Sequence, residues 1–121
     1  MSGLAGKRIL VVEDEALVAA MVEDMLVELG AAVVGPATTL ARGMALAASE
    51  KLDAAVLDVN IRDERIDPVA DLLRTRGIPM VFATGYGVGP LLGDAIPKVI
   101  DKPYTKEKLT RALAEVLRVR T

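Results

Sequence analysis

The sequence predicts a doubly wound α/β sandwich, a parallel sheet with helices packed on both faces. Three observations carry this. Short apolar runs alternate with segments of helical period along the chain, which implies right-handed crossovers between parallel strands. The runs from Lys7 to Val12 and from Ala54 to Leu57 lack polar alternation, the pattern of strands covered on both sides. Each run closes on a charged or hydroxyl residue, at the carboxyl strand ends where such folds build their sites.

The elements follow in order. The first strand, Lys7 to Val12, is stopped by Glu13, Asp14 and Glu15. A helix is expected over Ala16 to Leu29. Leu17, Val18, Met21, Val22, Met25, Leu26 and Leu29 recur at helical spacing, and Gly30 is suited to the C-terminal cap. The second strand is read as Ala32 to Val34, closed by Gly35-Pro36, and Thr38 or Thr39 would cap a helix reaching Ala48. The third strand, Ala54 to Leu57, ends at Asp58. After a polar loop, Asp67-Pro68 reads as a helix N-cap followed by proline, in a helix that turns Val69, Leu72 and Leu73 inward and stops at Gly77. Pro79 to Thr84 is the fourth strand and Lys98 to Ile100 begins the fifth, which ends near Lys102-Pro103. Thr105 would cap the last helix, with Leu109, Ala112, Leu113, Val116 and Leu117 on one face. Between the last two strands, Gly85 to Gly93 holds four of the ten glycines plus Pro90, so a short, frayed or displaced helix is expected there.

Composition removes whole classes of chemistry. The chain has 121 residues, which predicts one domain over 1–121; 52% of them are hydrophobic and 26% charged, the balance of a folded globule. It has no cysteine and no histidine, so disulfides, thiolate or Ser-His-Asp catalysis and Cys/His metal sites are excluded. Any metal must be a hard cation on oxygen ligands. A net charge of −2 gives no reason to expect nucleic acid or an anionic membrane as partner. No run approaches the roughly 18 apolar residues of a membrane span, and Met1 to Gly6 meets Lys7 and Arg8 without the apolar core of a secretory signal. A cytoplasmic location is expected.

If the fold holds, Glu13 and Asp14, Asp58, Thr84 and Lys102 converge on one rim. Taken singly, each has an ordinary reading: acids charging a helix N-terminus, a loop aspartate, a capping threonine, a solvated lysine. Their order at successive strand ends argues otherwise. Crowded carboxylates repel, and a divalent cation such as Mg²⁺ relieves that repulsion while leaving positions for water and phosphate. A hydroxyl and an ammonium opposite would hold phosphoryl oxygens, which makes a phosphoryl-transfer site. With no histidine or cysteine, the covalent acceptor is a carboxylate or hydroxyl, and Asp58 is the central candidate.

These residues carry a family resemblance. Over essentially its whole length the chain resembles the receiver domain of bacterial two-component response regulators, through Val11-Val12-Glu13-Asp14-Glu15, Val56-Leu57-Asp58, Ala83-Thr84-Gly85 and Asp101-Lys102-Pro103. The resemblance implies a flavodoxin-like fold of five parallel strands in the order 2-1-3-4-5. It implies Asp58 as phosphoacceptor, with Asp14 and Asp58 binding Mg²⁺ directly, Glu13 through water and Asn60 through its carbonyl. Thr84 would take a phosphoryl oxygen and Lys102 would pair with the phosphate, before a Lys102-Pro103 peptide that is usually cis in the family. Two features depart from the common pattern. Val99 stands where most receivers carry an aromatic switch. Phe82-Ala83-Thr84-Gly85-Tyr86 is similar to the F-A-T-G motif of an alphaproteobacterial subgroup, associated with HWE-type kinases, although Gly87 falls where that motif closes with tyrosine.

The expected function is a single-domain response regulator that receives a phosphoryl group from a histidine kinase or phosphotransfer protein, docked through the first helix, and signals by contact with a downstream protein. It is expected to act as a phosphoacceptor rather than as an enzyme. The alternatives are a phosphate sink without output, a small aspartate-nucleophile phosphatase and a flavin-binding protein. Asn60 occupies the second acid position of the phosphatase D-x-D motif, and the acids after the first strand replace a flavin phosphate loop.

Overall fold

Side-chain alternation in one strand divides the molecule into layers. In β1 (Arg8–Val12), Leu10 and Val12 face one side and Ile9 and Val11 the other, and all four are buried. The computed structural model describes residues 4–61, 64–84, 98–101 and 105–120, with Asn60, Thr84, 98–101 and 118–120 described by backbone. β1 pairs in parallel with both β2 (Ala32–Ala37) and β3 (Ala54–Asp58). β3 then pairs with β4 (Met80–Thr84), and β4 with β5 (Lys98–Asp101). The order is β2-β1-β3-β4-β5, as the resemblance implied, and the fold is flavodoxin-like.

Two apolar layers sandwich this sheet. Leu10, Val12, Leu57 and Phe82 pack with Leu46 and Ala47 of α2 (Leu40–Ser49) and with Val69, Ala70 and Leu73 of α3 (Asp67–Thr75). Ile9, Val11, Val56 and Val81 pack with Val22 and Leu26 of α1 (Ala16–Glu28) and with Leu109, Ala112 and Leu113 of α4 (Lys106–Arg120). Leu4, fully buried, joins the second layer from the N-terminal turn. The caps follow local chemistry. Thr39 Oγ1 accepts the Arg42 N–H at 3.1 Å, and Thr105 Oγ1 accepts the Lys108 N–H at 3.1 Å. Lys106 Nζ donates to Glu28 Oε2 at 2.9 Å, tying α4 to the end of α1; this hydrogen bond and the charge of Glu28 hold the Lys106 ammonium above its ordinary pKa.

Two expectations are corrected here, and the burial of α1 is settled. β2 does not close at Gly35-Pro36 but runs to Ala37, with a register irregularity between Leu10 and Val12 of its partner. β2 is an edge strand, so a proline there costs no ladder bond on its open side. Gly35 sits at φ +96°, and a Cβ on it would lie 2.7 Å from the Ala37 nitrogen. The N-cap of α3 is Ile66, not Asp67, because the Ile66 N–H is bound back to the Val59 carbonyl at 2.9 Å and its buried side chain starts the turn early. α1 buries only part of the apolar set read from its period. Ala19, Val22 and Leu26 are buried, whereas Leu17 is 76% and Met21 39% exposed. The expectations for Gly85 to Gly93 and for Lys102-Pro103 lie outside the described residues.

Gly35→Ala is expected to lower stability by about 2–4 kcal/mol, read as a shifted denaturant midpoint at unchanged slope, since the substitution combines a left-handed φ with a backbone collision. Leu57→Ala, which empties a fully buried central position, is expected to cost about 2–5 kcal/mol, whereas Leu17→Ala at its exposed position should stay within about 0.5 kcal/mol. Equal losses for the two leucines would contradict the layer assignment.

Candidate functional site

The register of the central strands builds the site. Val12 is level with Leu57, so the next residues, Glu13 and Asp58, leave β1 and β3 at the same height. Asp58 is level with Ala83, and Thr84 ends β4 one residue further, paired with Asp101 of β5. The sequence-predicted strand-end residues therefore share one rim, as far as they are described: Lys102 lies outside the described residues, and of Thr84 only the backbone is.

Glu13, Asp14 and Asp58 come together. One carboxylate oxygen from each lies within 4.8 Å of the others. Glu13 is 1% exposed and Asp58 7%, while Asp14 is half-buried. The turn from β1 into α1 is fixed by two bonds: the Glu13 N–H donates to the Ala37 carbonyl at 2.9 Å, and Glu13 Oε2 accepts the Glu15 N–H at 3.1 Å. On the far side the Val59 N–H donates to the Ala83 carbonyl at 3.1 Å, which carries the sheet pairing one residue past Asp58.

Beyond Val59 the chain does something the sequence reading did not anticipate. Where a polar loop was expected, Asn60–Ile61 pairs antiparallel with Glu64–Arg65, Asn60 opposite Arg65. Buried Ile61 and Ile66 anchor this short ladder from below. The available signal was the Ile61 and Ile66 pair flanking a charged tip. The ladder sets the position of the Asn60 backbone directly after Asp58.

Three carboxylates this close, two of them removed from water, repel by about 3–4 kcal/mol per charged pair at an effective dielectric near 20. A divalent cation with oxygen preference satisfies such a donor set and keeps coordination positions for water and phosphate. The donor set therefore fits a Mg²⁺-like ion. One open cavity of about 340 Å³ is lined by Leu29, Lys106, Glu107, Thr110 and Arg111 and includes none of the three acids. No helix among the described residues is long and apolar enough to cross a membrane.

Comparison with known proteins agrees with this geometry. No protein-family model matches the chain. The solution structure of SdrG from Sphingomonas melonis Fr1 is 42% identical, with a TM-score of 0.81 over 97% of this chain and 99% of that one. The receiver domain of the response regulator PhyR from Erythrobacter litoralis is 27% identical, with a TM-score of 0.81 over 94% of this chain and 92% of that one. The phyllosphere-induced regulator PhyR of Methylorubrum extorquens is 31% identical over 114 residues, 90% of this chain. The chain spans 43% of the length of that relative. Near-complete coverage of SdrG at 42% identity, a receiver fold throughout and an acidic triad at the strand ends converge: the chain belongs to the response regulator receiver domain family.

Proposed function

We propose that residues 1–121 form one receiver unit acting as a single-domain response regulator, which takes a phosphoryl group onto Asp58 from a histidine kinase or phosphotransfer protein. The observation that carries the reading is the grouping of Glu13, Asp14 and Asp58 within 4.8 Å, with Asp58 at the end of the sheet's middle strand. The match to SdrG across 99% of that chain supports the single-domain reading.

In the proposed reaction an Asp58 carboxylate oxygen attacks phosphorus in line. The nitrogen–phosphorus bond of the donor's phosphohistidine breaks, its electron pair stays with the imidazole, and an acyl phosphate forms on Asp58. Asp14 and Asp58 would hold Mg²⁺ directly, Glu13 through water and Asn60 through its carbonyl. When bound, the ion supplies positive charge to phosphoryl oxygens and to the crowded acids. Lys102 pairs with the phosphate, and the Thr84 hydroxyl bonds one of its oxygens. With valine at position 99, Thr84 passes its movement to the glycine-rich segment that follows it, with Tyr86 as the side chain most directly attached. The new charge then changes what the protein binds.

The donor approaches the rim along α1, whose first residue follows Asp14 by two positions and whose Leu17 and Met21 are exposed beside it. Output is protein contact with a downstream partner in the cytoplasm, without nucleic acid or membrane. The last helix contributes to that surface: Thr105 to Thr121 holds five Lys/Arg against two Glu. The chain is a phosphoacceptor in this scheme, with no catalytic turnover beyond loss of its own phosphate.

Incubation with radiolabelled phosphodonors should label the wild type in a hydroxylamine-sensitive manner, and Asp58→Asn should lose that label. Full labelling of the variant would remove Asp58 from the role. Calorimetric titration with Mg²⁺ or Mn²⁺ should show weak binding to the unphosphorylated protein, and Asp14→Ala should abolish it. An unchanged affinity in that variant would place the cation elsewhere.

A further inference from the structure

The short ladder after β3 brings a guanidinium toward the acids. Asn60 lies opposite Arg65, and Ile61 opposite Glu64. The Ile66 N–H donates to the Val59 carbonyl at 2.9 Å, so the same register reaches back to Val59, whose own N–H is bound to the Ala83 carbonyl. Val59 is thus the rung shared by the parallel sheet and the ladder. Val59 and Ile66 both belong to the core layer of α2 and α3. Asp58 precedes the one and Arg65 the other, so strand alternation turns both side chains away from that layer, onto one face. In this register Arg65 is the diagonal neighbour of Asp58, a relation of about 7–8 Å that long side chains bridge. Arg65 Nε donates to Asp67 Oδ1 at 3.1 Å, and the two side chains are 47% and 42% exposed. A solvent-exposed pair of this kind is weak enough to exchange.

Resting on the reading of Asp58 as phosphoacceptor, we propose that Arg65 is a further anion-binding residue of this site: its guanidinium leaves Asp67 for a phosphoryl oxygen on Asp58. Charge supplies the drive. Before transfer, the three carboxylates are balanced by Mg²⁺ and Lys102 in the scheme above, and Arg65 is left to Asp67. After transfer, the acyl phosphate with Glu13 and Asp14 carries about four negative charges against about three positive ones. One more cation brings the cluster near neutrality, and Arg65 is the cation that the ladder sets diagonal to Asp58. A guanidinium suits the task, because its planar fork matches phosphate oxygens and keeps its charge at any working pH.

The test titrates the full chain by calorimetry with beryllofluoride, a phosphoryl mimic, at saturating Mg²⁺, and separately with Mg²⁺ alone. Arg65→Ala should weaken beryllofluoride binding about tenfold, the size of one charge-assisted hydrogen bond near solvent. Arg65→Gln should do the same, and Arg65→Lys, which keeps the charge, should fall between these variants and the wild type. Arg65→Ala should leave Mg²⁺ affinity unchanged or raise it, since the acids lose a neighbouring cation, whereas damage to the site would lower both affinities. Asp67→Asn should tighten beryllofluoride binding when Arg65 is present and do so less in the Arg65→Ala background, which isolates the exchange of partners. Unchanged beryllofluoride affinity in Arg65→Ala, parallel losses of both ligands, a loss in Arg65→Lys as large as in Arg65→Ala, or an equal effect of Asp67→Asn in both backgrounds would overturn the inference and leave the phosphoacceptor reading standing. Absence of beryllofluoride binding to the wild type would remove both.

Discussion

The register between β1 and β3 is the constraint on which the rest depends. Pairing Val12 with Leu57 leaves Glu13 and Asp58 at the same height, and the backbone has no freedom to separate them afterwards. A slip of one residue would turn the apolar set of β1 inside out, because side chains alternate faces. The two-sided core thus enforces a carboxylate cluster that would disperse if charge repulsion acted alone. The apolar layers hold the acids in place.

That division of labour explains the burial pattern. β1 and β3 are apolar on both faces because helices cover both sides of the sheet, and their charged residues, Arg8 and Asp58, stand only at strand ends. Glu13 and Asp58 are nearly sealed from solvent while remaining at the rim. A cation is then favoured by desolvation as well as by charge. The ladder after Val59 follows the same logic, since buried Ile61 and Ile66 flank its paired residues.

Helix α1 joins the core to the outside. Its Ala19, Val22 and Leu26 fasten it to the sheet, and Leu17 and Met21 stay exposed.

The sequence by itself determined the alternation of elements, the strand ends that bear Glu13, Asp14, Asp58 and Thr84, and the exclusion of histidine and cysteine chemistry. These are legible because strand period, helix period and residue chemistry are local properties. Only the tertiary structure decided which of the apolar positions of α1 face the sheet, since that helix has more apolar surface than one sheet face can cover. It alone showed β2 continuing through Gly35-Pro36, because a proline's cost depends on whether its strand lies at an edge. It alone showed the closeness of the three carboxylates, 44 positions apart from Asp14 to Asp58 in the chain, because that distance is set by interstrand register and not by any neighbour in sequence.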